Sequence, residues 1–530
     1  MKKLSLIVMM LITFSFAKAQ QPMPGEFDYD FGEWGIVTEE LNNLSVFLTG
    51  KSSLVLQSDG KSVVFTEYSE GGPAEILLMR HNTDGSIDTS YGENGYVHLA
   101  PMSNKNYFSY DSKIVENDNM LLLAYTYGSD GGNMCLLKVD SNGNLITSFG
   151  NNGYVTFSKQ ANWTLVPRSL AIQNDGKIIV GGEYGEFDYG SCILRFTTDG
   201  QLDTTFGNNG MVLHESFDSN GWQVMAVGES VDVAPDGRIY LCGWEVTPDE
   251  EWGSPYSSKI ICVDQNGDFV TTFGNNGVWE YSFSEVIDFI NACKVMDDGK
   301  LLIAGAAETY NEIQGEPIYS VYVARLNPDG TFDSTFGNNG FTMAQCIENS
   351  CNYCHEMAVA DNGEIYLAGY VWQDLKDMLI GAFNADGTLN TNFGENGFDH
   401  ITFGGNKTST ATDIAVQDDG KIVAIGHYEH EETFADYMLV RLHTAASLDA
   451  VEENAIANGI YTYPNPAVNE VRFVNLENEC TANVYDAMGR LVMRETVSNE
   501  SALNVSQLTS GNYFVELIDG SQIIKTRFVK

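Results

Sequence analysis

Basic residues are scarce in this sequence. Lysine and arginine together number 28 in 530 residues, against 72 aspartates and glutamates, so the formal net charge is −44 at pH 7. A chain this acidic is repelled by nucleic acid and by anionic membrane surfaces, because both carry dense negative charge. The composition therefore excludes nucleic acid as an expected partner.

Proline and long apolar runs are scarce as well. The 12 prolines against 52 glycines argue against proline-rich linkers and favour many tight turns. Aromatic residues make up 12% of the chain, more than an intrinsically disordered protein contains. Beyond the N-terminus no apolar run approaches the ~18 residues of a membrane-spanning helix. We expect a folded mature chain that is not inserted into a membrane.

The N-terminus has the three parts of a secretory signal peptide. A basic start at residues 1–3 precedes a thirteen-residue apolar run at 4–16, and Ala17 and Ala19 form the small-x-small pattern of a cleavage site. Cleavage is expected before Gln20, so residues 1–19 are the predicted signal peptide. A membrane anchor is the alternative, and the shortness of the apolar run argues against it.

Internal repetition is the strongest pattern in the chain. The phrase Leu-Asp-Thr-Thr-Phe-Gly-Asn-Asn-Gly ends at Gly210, and related phrases recur about every 60 residues. The other copies end at Gly35, Gly95, Gly153, Gly277, Gly340 and Gly397. Between copies lies a second phrase, Asp-Gly-Lys flanked by apolar runs, and a third phrase is an apolar strand that often ends in arginine. Asp-Gly between apolar runs is a strong hairpin signal.

Each period predicts four short strands, and the seven periods predict an all-β fold, a seven-bladed β-propeller over residues 20–443. The first strand, at 36–38, follows the first phrase, whereas the last period ends with the strand of Arg441. If the hairpin arm lies innermost, the first strand completes the last blade and closes the ring. An eight-bladed or open arrangement is the alternative. The phrases resemble the delta-60 repeat family, which implies a β-propeller and no particular activity.

The C-terminal seventy residues have a different pattern. A polar stretch at 444–459 predicts a linker, and alternating segments in 460–530 predict a small β-sandwich. The segment resembles the type A C-terminal sorting domain of the type IX secretion system. The resemblance rests on Tyr463, Pro464, Asn465, Pro466, Asp486, Gly489, Arg490, Gly511, Tyr513 and Lys525. It implies that the type IX machinery carries the protein through the periplasm and outer membrane, to the cell surface or the medium. An ordinary accessory sandwich is the alternative.

The repeated aspartate does not behave as a metal ligand. It is replaced by Ile146, Val270 and Asn390 in three of the copies. A calcium ligand repeated in every blade would not tolerate isoleucine or valine, so we interpret these aspartates as turn caps. The segment from His427 to His430 has the spacing H-x-E-H, which differs from the zinc-protease motifs. No metal site is predicted.

The connections between strands alternate between two faces of a propeller. The repeated turns fall on one face, and connections of variable length fall on the other, which we call the variable face. Five tryptophans lie in the variable connections: Trp163, Trp222, Trp244, Trp252 and Trp372. Acidic groups such as residues 249–251 lie there too. Exposed rings and carboxylates predict a binding surface for a glycan or a protein. The alternative is that the rings fill gaps between blades and the acids only solvate the loops.

A cysteine-rich segment precedes the sixth hairpin. Cys351, Cys354 and His355 have the C-x-x-C-H spacing of covalent haem attachment. A haem also needs a closed apolar pocket and usually a second axial ligand, and this segment leads into an inner strand near Cys346. A local disulfide among Cys346, Cys351 and Cys354 is expected instead, because exported chains meet oxidising conditions. No haem or other cofactor is predicted.

Together these patterns predict an exported binding module for a glycan or protein ligand. The alternative is an extracellular glycan hydrolase or lyase that uses loop carboxylates near the axial channel. The acidic residues are too numerous to select a general acid and a general base, so no catalytic residue is assigned. The sequence favours binding over catalysis.

Overall fold

The structure is a computed structural model. It describes residues 22–33, 35–39, 51–69, 72–129, 131–158, 164–185, 190–217, 223–246, 256–284, 287–310, 317–348, 350–373, 375–402, 408–430, 433–448, 461–463, 467, 469–474, 476, 478–486, 491–498, 501–509, 512–519 and 522–530. The predicted signal peptide, the larger part of the predicted linker, and Trp163, Trp222 and Trp252 lie outside these residues.

Four-stranded antiparallel sheets form the propeller, and each is a meander in chain order. Strand β1 (Ile36–Glu39) precedes the first sheet. Blade 1 contains β2 (Ser53–Leu56), β3 (Ser62–Tyr68), β4 (Glu75–His81) and β5 (Tyr96–Leu99). Blade 2 contains β6 (Asn106–Ile114), β7 (Met120–Gly128), β8 (Gly131–Val139) and β9 (Tyr154–Phe157), with a 3-10 helix (Glu116–Asp118) in its first turn. Blade 3 contains β10 (Thr164–Ile172), β11 (Ile178–Gly185), β12 (Gly190–Phe196) and β13 (Met211–His214).

The remaining blades continue the same order. A short hairpin, β14 (Ser216–Phe217) and β15 (Gln223–Val224), comes first. Blade 4 contains β16 (Ala226–Val233), β17 (Ile239–Val246), β18 (Tyr256–Val263) and β19 (Val278–Tyr281). Blade 5 contains β20 (Asp288–Val295), β21 (Leu301–Tyr310), β22 (Pro317–Leu326) and β23 (Phe341–Ala344). Blade 6 contains β24 (Cys351–Val359), β25 (Ile365–Trp372), β26 (Lys376–Phe383) and β27 (Phe398–Ile401). Blade 7 contains β28 (Thr408–Val416), β29 (Ile422–His430) and β30 (Thr433–Leu442), and β1 is its fourth strand.

Strand β1 closes the ring. It pairs with β30 in antiparallel register, with Ile36 opposite Val440 and Glu39 opposite Tyr437. An apolar core that contains Phe31, Leu77 and Leu439 joins blade 7 to blade 1. The predicted seven-bladed propeller and its closure by the first strand are confirmed. Joining the two ends removes two sheet edges that would otherwise expose unpaired backbone groups.

The repeated phrase forms a turn that needs left-handed backbone. In the fourth copy Gly207 has φ +49°, Asn209 has φ +55° and Gly210 has φ +93°. A Cβ on Gly207 would lie 2.4 Å from the carbonyl oxygen of Met211. Glycine is therefore required at that position, and asparagine is the side chain that most readily adopts the left-handed region before the last glycine.

The three repeated phrases meet in one cluster in blades 1, 3, 5 and 7. An arginine on the third strand donates to an aspartate of the turn phrase, with Nε–Oδ2 distances of 2.8 to 2.9 Å. The pairs are Arg80–Asp88, Arg195–Asp203, Arg325–Asp333 and Arg441–Asp28. The lysine of each Asp-Gly-Lys phrase also contacts the aspartate, at 2.9 to 3.2 Å. Each guanidinium lies 4.4 to 4.5 Å from the centre of the ring in the turn phrase.

The aspartates cap the turns as predicted. The Oδ1 atom of Asp88 accepts a hydrogen bond from the amide of Ser90 at 3.0 Å, and Asp203 and Asp333 do the same for Thr205 and Thr335. Such side-chain bonds to a backbone amide two residues later are typical of turn aspartates.

Blades 2, 4 and 6 lose the arginine and the aspartate together. Lys138, Cys262 and Ala382 stand at the arginine position, opposite Ile146, Val270 and Asn390. In blade 6 a glutamate, Glu364, replaces the hairpin lysine, and its carboxylate accepts from Asn390 Nδ2 at 3.2 Å. In blades 2 and 4 a cation remains without the turn aspartate, and each pairs with another carboxylate, Lys138 with Glu116 at 2.9 Å and Arg238 with Asp236 at 2.7 Å.

The C-terminal segment folds as two sheets around one core. The strands are β31 (Tyr461–Tyr463), β32 (Glu470–Val474), β33 (Cys480–Asp486), β34 (Leu491–Val497), β35 (Ala502–Asn504), β36 (Asn512–Asp519) and β37 (Gln522–Val529). One sheet has the order β31-β32-β35 and the other β34-β33-β36-β37. Val471, Phe473, Val484 and Leu517 are among the residues of their shared core. The predicted small β-sandwich is confirmed.

The sorting-motif residues have different positions in this sandwich. Tyr513 is buried, stacks on Phe528 with ring centres 5.4 Å apart, and donates to the Thr509 carbonyl at 2.8 Å. The backbones of Tyr463, Asp486 and Lys525 belong to β31, β33 and β37. Pro464, Asn465, Pro466, Gly489, Arg490 and Gly511 lie outside the described residues.

The first residues of the predicted linker pack on blade 7. Thr444 is fully buried, and its hydroxyl donates to the Gly420 carbonyl at 2.5 Å. The same hydroxyl oxygen accepts from the amide of Ser447 at 3.0 Å and so caps a single helical turn at 445–448. Propeller contacts therefore extend a few residues past the predicted boundary at 443.

Candidate functional site

The innermost strands of blades 2 to 7 share a β-bulge. Each strand skips one residue in its register with the next strand, at the equivalent position. The bulged residues are Tyr110, Arg168, Glu229, Asn291, His355 and Thr412. A bulge changes the direction of a side chain and is common beside functional sites. Residues after the bulges line the central channel, and residues before them approach the variable face.

The central channel has a volume of about 530 Å³ and contains ion pairs. Lys51 Nζ lies 2.5 Å from Glu356, Lys113 Nζ 2.8 Å from Asp111, and Lys294 Nζ 3.3 Å from Asp232. Charges of both signs therefore largely compensate one another inside the channel.

The channel carboxylates also join neighbouring blades. Asp111 accepts from the amide of Leu170 at 2.8 Å, Asp232 from Val295 at 2.8 Å, and Asp413 from Leu54 at 2.7 Å. Each bond links one inner strand to that of the following blade. These contacts give the channel carboxylates a structural role.

A larger concave site opens on the variable face between blades 5, 6 and 7. It has a volume of about 830 Å³, and we call it the aromatic cleft. Its rings are Phe289, Tyr319, Tyr353, Tyr370 and Trp372. Its other polar groups include His355, Lys376, Thr408, Thr410 and His427.

The pairing of strands β24, β25 and β26 brings the aromatic residues of the cleft together. Tyr353 on β24 is directly opposite Tyr370 on β25, and their rings stack 5.3 Å apart at 12°. Trp372 follows two positions after Tyr370, so alternation directs both side chains to the same side of the blade. Lys376 is opposite Trp372 on β26, and its ammonium lies 4.5 Å from the ring centre of Tyr370.

Trp372 is the predicted ligand-contacting residue that the structure places in the cleft. Its side chain is 48% exposed. Trp244 is half-buried, donates to Glu229 Oε1 at 3.3 Å and meets Phe289 edge-on at 5.6 Å. Phe289 in turn lies 6.0 Å from Tyr353. Trp244 therefore borders the cleft through Phe289, and it partly fills the space between blades 4 and 5.

Arg168 forms ion pairs with two carboxylates of blades 3 and 4. Its guanidinium lies 2.8 Å from Glu183 and 4.0 Å from Glu229, and it sits over the ring of Tyr110 at 5.5 Å. Burial raises the pKa of Glu183, and the charge of Arg168 opposes that rise. Sequence reasoning looked for carboxylates in the loops, whereas this pair comes from strands. The loop acids at 249–251 lie outside the described residues.

Burial shifts the pKa values of three groups in the cleft, His355, Tyr353 and Tyr370. Burial lowers the pKa of His355 to about 3, and its electrostatic interactions with Lys51, His427 and Lys376 act in the same direction. Burial raises the pKa of Tyr370 to about 12 and that of Tyr353 higher still. The cleft therefore presents phenol and imidazole groups that form hydrogen bonds without charge.

The cysteine-rich segment forms β24. Cys351 lines the cleft, whereas Cys354 is 1% exposed in the core between blades 5 and 6. Cys351 and Cys354 are three residues apart, and side chains alternate between the two faces of a strand, so these two thiols lie on opposite faces of β24. A disulfide between them is therefore incompatible with this strand. Cys346 Sγ lies 3.9 Å from His400 Nδ1. A disulfide that includes Cys346 stays a prediction.

Sequence reasoning missed Tyr353, Tyr370 and Lys376. A signal was present in Tyr370-Val371-Trp372, where two aromatic residues alternate on one strand and must share a face.

Within the described part of the chain, no three His, Cys, Asp or Glu side chains are grouped as metal ligands. No helix among the described residues is long and apolar enough to cross a membrane.

Propeller, closing strand and terminal sandwich together define an exported β-propeller protein with a sorting tail. Residues 461–530 match the family model of the secretion system C-terminal sorting domain. Segments 57–91, 173–206 and 297–336 match that of the beta-propeller domain of unknown function DUF5122. The tail is a type IX sorting domain and marks the protein for the cell surface or secretion. No curated protein matches the chain.

Solved structures resemble this chain at low sequence identity. The polysaccharide lyase Uly1 is 11% identical over 82% of this chain and 94% of its own, with a TM-score of 0.42. The β-propeller domain of the trilobed protease from Pyrococcus furiosus is 9% identical over 74% and 95%, with a TM-score of 0.37. The GH93 α-L-arabinofuranosidase of Fusarium graminearum is 8% identical over 63% and 91%, with a TM-score of 0.33.

Proposed function

We propose that this protein is a cell-surface or secreted carbohydrate-binding propeller whose ligand lies in the aromatic cleft. The observation that carries the proposal is the stacked pair of Tyr353 and Tyr370 beside the exposed ring of Trp372. Aromatic faces offer large, rigid apolar area, which suits the C–H faces of sugar rings. The type IX tail places such a site outside the cell, where polysaccharides are encountered.

The polar groups of the cleft complement the hydroxyls of a sugar. Neutral His355 and the hydroxyls of Tyr370 and Thr410 provide donors and acceptors around the rings. Pockets for small ligands combine an apolar lining with a few convergent polar groups. The cleft has this composition.

The shape of the site favours a glycan over a folded protein. Its volume of about 830 Å³ falls within the ~300–1,000 Å³ of small-ligand pockets. A stable protein partner instead covers about 800 Å² of surface on each side. A concave site of this size matches a few sugar rings.

Binding is tested with the whole chain from Gln20, screened on a glycan array and then titrated by calorimetry against each hit. Trp372→Ala is expected to weaken binding at least about tenfold, because it removes an exposed stacking surface. The control is Tyr127→Ala, which removes a ring that is 53% exposed but does not line the cleft. That variant should bind like the parent.

Three other results of these binding experiments would contradict or change the proposal. Unchanged affinity in Trp372→Ala would contradict the assignment of the cleft. A blank array would contradict carbohydrate binding and favour a protein ligand. Release of shorter products from a bound polysaccharide would favour the alternative of a glycan hydrolase or lyase, and Glu183 and Glu229 would then be the first carboxylates to replace.

A further inference from the structure

We propose that the aromatic cleft selects acidic saccharides, whose rings carry a carboxylate or a sulfate ester, over neutral ones. This inference rests on the proposed carbohydrate-binding function. The inference starts from a difference in charge between the cleft and the chain as a whole. Aspartate and glutamate outnumber lysine and arginine by 72 to 28, yet no described residue that lines the cleft is a carboxylate.

Lys376 supplies the cleft with a positive charge. Its ammonium lies 4.5 Å from the ring centre of Tyr370 and 5.9 Å from that of Trp372. A sugar that stacks on Trp372 therefore places its ring substituents next to this ammonium. An anionic substituent there would form a charge-assisted hydrogen bond, roughly twice as strong as a neutral one.

Lys376 differs from the lysines of the Asp-Gly-Lys hairpins. Lys61, Lys177, Lys300 and Lys421 each lie within 4 Å of two aspartates. Lys376 has no carboxylate partner among the residues that the structure describes. Its neighbour Asp377 points to the opposite side of β26. There burial raises the pKa of Asp377, and His400 lowers it to a smaller extent. The charge of Lys376 is thus available to a ligand.

Two other charged residues near the cleft, Lys51 and Glu308, leave Lys376 as the charge that a ligand would meet. Lys51 donates to the His355 carbonyl at 3.4 Å, but Glu356 already compensates it at 2.5 Å. Glu308 accepts from the Tyr319 hydroxyl at 2.9 Å but is 7% exposed and does not line the cleft. The Debye length is about 8 Å at 0.15 M salt, so the net negative charge of the chain is screened there and contacts in the cleft decide selectivity.

The experiment compares matched saccharides that differ only in charge. The probes are hexamers of galacturonate, mannuronate and glucuronate with their carboxyl-reduced counterparts, and a sulfated galactan with its desulfated form. Calorimetry at 0.15 M salt uses the whole chain from Gln20 and three variants. Lys376→Met keeps the aliphatic stem without the charge, Lys376→Arg keeps the charge, and Lys294→Met makes the same change of net charge in the channel.

At least one acidic probe is expected to bind about tenfold tighter than its neutral counterpart, which is the gain of one charge-assisted bond. Lys376→Met should abolish this preference and keep the affinity for the neutral form, whereas Lys376→Arg and Lys294→Met should retain it. Whether the uronates or the sulfated galactan show the effect identifies the anionic group.

Two results would overturn the inference and leave carbohydrate binding intact. One is equal or tighter binding of the neutral forms, and the other is an acidic preference that survives in Lys376→Met. Absence of binding to every acidic and neutral probe, together with a blank glycan array, would overturn the proposed function and this inference together.

Discussion

The guanidinium of Arg441 donates to the carboxylate of Asp28 at 2.8 Å, across 413 residues of sequence. Lys421 lies 2.9 Å from the same carboxylate. All three belong to blade 7, whose fourth strand comes from the N-terminus. The contact that blades 1, 3 and 5 make within one stretch of chain is here made between the two ends. The ring is therefore closed by the same arginine–aspartate–lysine contact that blades 1, 3 and 5 contain.

Removal of this carboxylate should destabilise the propeller. Asp28→Ala leaves the buried guanidinium of Arg441 without its carboxylate and Lys421 with Asp419 alone. Breaking a buried ion pair in this way costs about 3–5 kcal/mol. The measurement is urea unfolding followed by tryptophan fluorescence. Glu470→Gln is the control, because Glu470 and its partner Arg472 are 55% and 46% exposed and exposed pairs contribute about 0–1 kcal/mol. Equal midpoints for the two variants would contradict the prediction.

Asp413 should make stability depend on pH between about 4 and 6. Burial and the charge of Glu356 raise its pKa to about 6, against the opposing charges of Lys51 and Lys113. The folded state therefore holds this proton more tightly than the unfolded state, whose carboxyl has a pKa of about 3.9. Its contribution to stability is complete below pH ~4 and is lost as the pH rises through 6.

The test compares the parent with Asp413→Asn by urea unfolding at several pH values. The slope of unfolding free energy against pH should differ between them by up to about 1.4 kcal/mol per unit in that window, the effect of one proton. Parallel curves would show that Asp413 titrates alike in both states.

The glycine of the repeated turn should resist substitution. Gly207→Ala forces an alanine into φ +49° with its Cβ 2.4 Å from the Met211 carbonyl oxygen, so we expect a loss of at least about 2 kcal/mol. Gly72→Ala is the control, since no atom lies within 4 Å of the added Cβ, and it should change stability by under about 0.5 kcal/mol. A stable Gly207→Ala protein would contradict the steric explanation of the repeated glycine.

Export should depend on the folded C-terminal sandwich. Deletion of 461–530 is expected to leave the protein in the periplasm, as detected by immunoblotting of cell fractions and medium. Tyr513→Ala should have the same effect, because it removes a buried ring that stacks on Phe528. Tyr485→Phe keeps its ring and removes a hydroxyl that donates to Glu516, so it should be exported normally. Arrival of the deletion variant at the surface would contradict the role of the tail.

Most of the fold was predictable because its signals are local. Asp-Gly hairpins, the left-handed turns at Asn209 and Gly210, and the period of about 60 each depend on a few consecutive residues. The position of β1 in blade 7 followed from counting strands from the two ends. The tail was predictable for the same reason, through its short alternating strands.

The candidate site was predictable only in part. Trp372 was expected on the variable face, and the structure places it in the aromatic cleft. Its companions Tyr353 and Lys376 were not selected, because neither residue type stands out in a sequence. Their proximity to Trp372 depends on which residues are opposite each other across β24, β25 and β26.

The sequence by itself determined the turns, the strands and the number of blades, because backbone conformation in a tight turn depends on the residues that form it. Only the tertiary structure decided that residues of blades 5, 6 and 7 share one cleft, and that Lys376 there lies apart from the described carboxylates. The physical reason is that these contacts depend on register and on the angle between neighbouring sheets. Both are set by packing between residues that are far apart in the chain.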